Sequence, residues 1–217
     1  MRATYLTAIL ILLAPVFVPA GAAAAGNDDV FSHPVNHRNQ NAFMNEVTRL
    51  QLKGEQIKGF TQQKRISALR RPLVSTGTIV LSPFGICIAT HSPFTSSVKI
   101  TTEGIWQQAG NGKTTVKKAD EHIEIRHTAR ILIALFTANQ QVLEERFSLY
   151  FKKNGNHFEV GLRPRDRILA KIISEIVIEG GDEIHKIAIR EANGDETTIL
   201  ISDDKPANQI SLDTCVR

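Results

Sequence analysis

The chain has 217 residues, with 26 Lys and Arg against 22 Asp and Glu, a net charge of +4. That length suits one domain, with or without an extension, and the mild basicity excludes the dense positive surface of a nucleic-acid-binding protein. Two cysteines and seven dispersed histidines offer no closely spaced metal-ligand set.

Residues 1–25 read as an export signal. Arg2 is their only charge, an apolar run follows from Leu6 to Val18, and Ala20 to Ala25 are small. The apolar run is short for a bilayer span, and Ala23-Ala24-Ala25 before Gly26 suits cleavage. An uncleaved anchor is the competing reading. Loss of this segment removes only Arg2, leaving 25 basic and 22 acidic residues, a net of +3. No cysteine stands near the cleavage point, which argues against lipid modification of the bacterial type. The expected address is the periplasm.

Residues 26–40 read as a flexible polar leader. His33 and His37 are four apart, but Pro34 between them opposes a helix, so they read as solvated. The pattern then predicts a helix over Asn41–Leu52, with Phe43, Val47 and Leu50 on one face and Asn39 or Asn41 at its start. Glu55–Ile66 reads as a strand with a bend at Gly59. Leu73–Leu81 alternates apolar and hydroxylated residues, as a half-buried strand does. Gly85–Thr90 is almost wholly apolar, and Val98–Thr102 and Ile105–Gln108 follow as further short strands. Gly110-Asn-Gly-Lys-Thr-Thr115 reads as a hairpin turn. A phosphate-binding loop needs a glycine at 107, where the chain has Gln.

A second helical region is predicted from about Glu121 to Leu143, apolar nearly all round at Ile131–Phe136 and broken at Asn139. Phe147–Lys153, His157–Arg163, Ile172–Glu179, Glu183–Glu191 and Thr197–Asp203 read as strands. Their turns carry Asn154-Gly155, Gly180-Gly181 and Asn193-Gly194. Arg165–Ala170 reads as one helical turn, and the tail runs from Lys205. About ten strands and two helical pieces point to a mainly β fold, a sandwich or a curved barrel, with the helices inside the curve. Cys87 and Cys215 are free to bridge in an oxidising compartment or to remain two half-buried thiols, and their spacing does not decide.

At this point the pattern resembles the LolA/LolB-like family of outer-membrane lipoprotein carriers, over roughly Phe43 to Asp203. The resemblance rests on Phe60-x-Gln62-x-Lys64, Gly77-x-Ile79, and the Pro83…Pro93 spacing around Ile86-Cys-Ile88. It rests also on Val98 to Trp106, the Phe147…Gly155-Asn…Phe158-x-Val-x-Leu162-x-Pro164 hairpin, and Ile187-x-Ile-x-Glu191-x-x-Gly194-Asp-x-Thr197. It implies an open, strongly curved antiparallel sheet over residues 41–217, an incomplete barrel with helices as a lid over an apolar cavity. Two departures stand out. Ser82 precedes Pro83 where the carriers usually have an Arg that holds the lid, and Ile88 stands where they have an aromatic residue.

The function so implied is a monomeric carrier, not an enzyme, without cofactor or metal. It would take acyl chains of lipoproteins, or of a related lipid-linked molecule, from an inner-membrane transporter donor to an outer-membrane acceptor. Strand alternation puts Ile86 and Ile88 on one face. Val80, Val98 and Ile100 are assigned with them to the cavity, as are Leu132, Leu135 and Phe136 from the lid. Three other readings compete. A hydrolase would need a nucleophile or metal motif, and the chain has no Gly-x-Ser-x-Gly or His-Glu-x-x-His. An envelope structural or interaction domain would have a filled core and no lipid. A small-ligand barrel of lipocalin type would differ in cargo.

Overall fold

The computed structural model describes residues 29–110, 112–121, 126, 129–131, 133–134, 139–167, 169–203 and 210–216. The predicted export signal lies outside the described residues. Among the described residues there are eleven strands: β1 Gln56–Arg65, β2 Leu73–Ser82, β3 Gly85–Ser92, β4 Ser96–Thr101, β5 Gly104–Ala109, β6 Thr115–Lys118, β7 Phe147–Asn154, β8 His157–Pro164, β9 Ile173–Gly180, β10 Ile184–Glu191 and β11 Glu196–Ser202. Two α-helices are described from end to end, α1 Gln40–Leu50 and α2 Gln140–Arg146. The strands form one antiparallel sheet in the order β6-β5-β4-β3-β2-β1-β11-β10-β9-β8-β7. The order begins at β6 and ends at β7, so the sheet is open and not closed into a barrel. The mainly β, open antiparallel fold expected from the sequence is the fold observed.

Short connections explain the order. Ser82 pairs with Gly85 across a two-residue turn, Thr101 with Gly104, and Asn154 with His157. Tight hairpins of this kind force each strand to lie beside the last. β6 is the strand that the sequence reading lacked. Its residues Thr-Val-Lys-Lys show no apolar alternation, and what makes them a strand is pairing with β5, Trp106 to Val116 and Ile105 to Lys117. Its lysines and short length suit an edge.

The chain divides into two compact units. The first comprises the described parts of Met1–Asn45, Gln62–Val74 and Arg146–Leu200. In it, β7–β11 put Phe151, Phe158, Leu162, Ile176, Ile187 and Ile189 on one buried face, and Phe43 of α1 meets Phe151 edge-on with ring centroids 5.6 Å apart. The opposite face carries a charged row in register: Arg163, Glu175, Arg190, Glu196. These ion pairs are exposed and contribute little to stability, about 0–1 kcal/mol each.

The segment from Asp29 to Asn39, expected as part of a flexible leader, is attached to this unit. Val30 is buried, Val35 N–H donates to the Leu149 carbonyl and Phe151 N–H to the His33 carbonyl. The Arg163 guanidinium lies over the Phe31 ring at 4.2 Å. Val30 and Phe31 give this largely polar stretch something to bury, and β7 at the sheet edge gives its backbone partners.

The second unit comprises the described parts of Glu46–Thr61, Ser75–Glu145 and Ile201–Arg217. It holds most of β2, all of β3–β6, α2 up to Glu145 and the C-terminal segment. Asn139 starts α2. Its side-chain oxygen accepts from Val142 N–H at 3.3 Å and its carbonyl from Leu143 N–H at 3.1 Å, the behaviour of an N-cap. At Gly77, a methyl group would collide with the Ala89 carbonyl oxygen and the Phe60 ring. We expect Gly77→Ala to lower stability by about 1–3 kcal/mol, because a backbone atom cannot step aside. Urea unfolding of this variant against wild type reads the difference directly.

Candidate functional site

The register of β2–β5 decides which side chains share a face. Leu81 pairs with Ile86 and Ile79 with Ile88. Ile86 then pairs with Ile100, Ile88 with Val98, and Ile100 with Ile105. Paired residues of an antiparallel ladder point to the same side. Seven apolar residues therefore form one continuous patch: Ile79, Leu81, Ile86, Ile88, Val98, Ile100 and Ile105. Six are buried and Ile88 is half-buried. No charged side chain interrupts the patch from β2 to β4. The first to share its face is Lys117, at the β6 edge opposite Ile105.

Four of the expected cavity residues, Ile86, Ile88, Val98 and Ile100, come together on this face. Val80 does not. It pairs with Cys87 and so points to the other side, where Val80, Cys87, Ala89, Leu212 and Cys215 form a separate buried cluster, with Ile57, Ile210 and Val216 against it. Of the three expected lid residues, Leu132, Leu135 and Phe136 all lie outside the described residues. Near them, Ala129, Ile131, Ile133 and Ala134 are helical and buried. Positions 131, 133 and 134 point in different directions round a helix, so this stretch is apolar on more than one side, as its sequence suggested.

The other side of β2–β4 is closed by a C-terminal strap. Cys87 and Cys215 form a disulfide, with Cα atoms 6.0 Å apart. Leu212 N–H donates to the Glu55 carboxylate at 3.0 Å, and Ser211 and Thr214 close a turn through each other's hydroxyls. The strap explains why β2 and β3 are apolar on both faces. The segment Ile79–Ser82 is buried throughout, whereas the first half of β2 alternates.

Sequence reasoning missed Ile79, Leu81 and Ile105 and put Val80 on the wrong partner set. The signal was present in Ser82-Pro83-Phe84-Gly85. A two-residue hairpin there makes Leu81 the partner of Ile86 and Ile79 the partner of Ile88, leaving Val80 opposite Cys87. Ser82, standing where an arginine latch was expected, is buried. Its hydroxyl accepts the Phe84 N–H at 3.2 Å and supports the hairpin turn.

Among the described residues, no group of three or more His, Cys, Asp or Glu is arranged to hold a metal ion, and no helix is long and apolar enough to cross a membrane. No family model matches the chain, and no curated protein does. Among solved structures, the chain is similar to a LolA superfamily protein from Nitrosomonas europaea, with a TM-score of 0.43 and 5% identity over 82% of this chain and 97% of that one. It is similar to a putative outer membrane lipoprotein-sorting protein domain from Vibrio parahaemolyticus, with a TM-score of 0.41 and 9% identity over 81% and 92%. A DUF1329 family protein from Desulfovibrio piger gives a TM-score of 0.42 and 7% identity over 79% and 94%.

Proposed function

We propose that this chain is an exported periplasmic carrier that binds acyl chains of lipoproteins, or of a related lipid-linked molecule, and moves them from the inner to the outer membrane. The observation that carries the reading is the uninterrupted apolar patch on β2–β5, backed by the disulfide-held strap. With the strap closing one side of these strands, the patch is the side left to a ligand. Ile86, Ile88, Val98 and Ile100 line the acyl site in this reading, joined by Leu132, Leu135 and Phe136 of the helical segment. Val80 belongs to the strap side and supports the site from behind.

An apolar patch needs no catalytic group to hold a lipid. Each buried methylene contributes about 0.8 kcal/mol, so a chain of about fourteen carbons is held by burial alone. Release then requires the site to open, and in this reading the stretch around Leu132, Leu135 and Phe136 is the lid. The donor is an inner-membrane transporter and the acceptor an outer-membrane protein, with the carrier acting as a monomer and without enzymatic activity.

One observation favours the rival reading of an envelope domain with a filled core: Ile86 and Ile100 are 0% and 1% exposed within the chain's own packing. Mass spectrometry of lipid extracted from natively purified, exported protein separates the two. The carrier reading expects acyl lipid or acylated peptide in wild type and its loss in Ile88→Glu, a substitution at the half-buried position, where a charge is tolerated best. A clean wild-type protein that also takes up no fluorescent fatty acid would leave the filled-core reading standing.

A further inference from the structure

β7 is an edge of the sheet, and its sequence invites pairing. It runs for eight residues, and Phe147-Ser-Leu-Tyr-Phe151 is rich in aromatic and apolar side chains. An uncovered edge of that length and composition is a template for another strand. The other edge, β6, is four residues long and ends in two lysines, which discourages pairing by itself. β7 is covered instead, by the chain before α1. Pro34 bridges Tyr150, and the two backbone bonds beside it engage the outward groups of Leu149 and Phe151. An aromatic anchor holds this cover in place. The Phe31 ring meets Tyr150 edge-on at 5.2 Å and lies under the Arg163 guanidinium. It fits because Gly161, the cross-strand partner of Tyr150, has no side chain. A Cβ there would stand 2.9 Å from the Phe31 ring and 3.0 Å from the Val30 side chain.

The turn that follows holds the cover against its own sheet. The side-chain amides of Asn36 and Asn39 both donate to the Pro34 carbonyl, at 3.1 and 3.2 Å. The Asn39 side-chain oxygen accepts from Asn36 N–H at 2.8 Å. These bonds fix the path between the cover and α1, so the cover meets β7 at a higher effective concentration than an outside strand does. We propose that residues 29–39 are an edge guard, and that β7, once uncovered, pairs with β7 of a second copy of this chain. The strand suits its own kind. An antiparallel pairing of two copies centred on Tyr150 sets Leu149 opposite Phe151, Ser148 opposite Lys152 and Phe147 opposite Lys153. No two lysines then face each other, and the apolar centres meet. Such a contact uses the same patch on both copies and closes as a dimer. The guard keeps the chain a monomer whatever the chain carries, so the inference does not rest on the carrier reading.

The test uses the full exported chain as wild type, as Phe31→Ser, and as Phe31→Ser combined with Lys153→Pro. Phe31 is half-buried, so its loss removes the anchor and leaves the buried face of the unit in place. The Lys153 N–H, two residues along from that of Phe151, faces outward by strand alternation, a place where an edge strand tolerates proline. Sedimentation velocity over a concentration series reads the mass, and hydrogen exchange at the Phe151 amide reads the cover. Wild type is expected to stay a monomer with a protected Phe151 amide. Phe31→Ser should lose that protection at low concentration and double its mass as concentration rises. The added Lys153→Pro should return it to a monomer. A Phe31→Ser chain that stays a monomer throughout overturns the guard, whether its Phe151 amide exchanges or stays protected. So does association that survives Lys153→Pro, because its contact then lies elsewhere than β7, and so does a wild type that is already a dimer.

Discussion

Replacing Cys87 and Cys215 together by alanine is expected to lower the unfolding free energy by about 4–5 kcal/mol. The bridge spans a sequence separation of 128, and a loop of that length loses most entropy when it is closed in the unfolded chain. For a chain of this size each kcal/mol moves Tm by about 2–4 °C, so a drop on the order of 10 °C follows. The strap adds a local consequence. Leu212, Ile210 and Val216 pack on Val80, Cys87 and Ala89, but residues 210–216 are too few to hold an independent fold. Without the bridge they rely on these contacts and on the bond from Leu212 to Glu55. Thermal unfolding followed by circular dichroism, with and without reductant, measures the effect. A Tm unchanged when thiol titration shows both cysteines reduced would remove the strap from the account of stability.

The second large effect is expected at Lys64 and Glu191. Their side chains are 5% and 4% exposed and their charges lie 2.7 Å apart. Truncating one partner takes the opposite charge away from a buried neighbour. We expect Lys64→Met or Glu191→Leu alone to cost about 3–5 kcal/mol, and the double replacement to recover most of that loss. The recovery is the informative part, because two apolar side chains need no partner. The contacts around the pair bear on how complete it is. Asp195 in the β10–β11 turn accepts from Ser67 N–H at 3.0 Å and from the Ser67 hydroxyl at 3.3 Å, and Glu191 N–H donates to the Asp195 carbonyl at 2.8 Å. These bonds tie the residues after β1 to the turn independently of the ion pair. They give the double variant a scaffold on which to repack. Urea unfolding of the two single variants and the double forms a complete cycle. A double variant as unstable as either single one would show that the pair's geometry, and not the stranded charge, is what the fold needs.

Much of the fold was legible because its signals are local. Alternation or apolar runs marked the strands, and Gly, Asn and Pro marked the hairpins between them. Helix α1 was legible from Phe43 and Val47, both buried. Its start was legible to within a residue: Asn39 precedes Gln40 and its carbonyl accepts the Phe43 N–H at 2.9 Å. The capping role of its side chain was not, since its side-chain oxygen accepts from Asn36 N–H at 2.8 Å and its amide donates to the Pro34 carbonyl. A short polar side chain chooses among nearby backbone groups, and the choice depends on how the preceding segment is held. The candidate site was legible in part for the same reason. Ile86 and Ile88 share a face by strand geometry alone, whereas assigning Val80 required the register, which is a relation between strands.

The sequence by itself determined the class of this protein, its antiparallel meander, most of its strand boundaries and the presence of two cysteines able to bridge. Period, turn chemistry and residue type act over a few neighbours and need no knowledge of the rest. Only the tertiary structure decided that Cys87 and Cys215 meet, that the C-terminal segment closes one side of β2–β4, and that β6 is a strand at all. It also decided that Lys64 and Glu191, 127 residues apart, are buried against each other, and that the Thr197 hydroxyl is left unpaired. Each of these depends on groups far apart in the chain, whose approach is set by packing and loop closure and leaves no mark in the residues beside them.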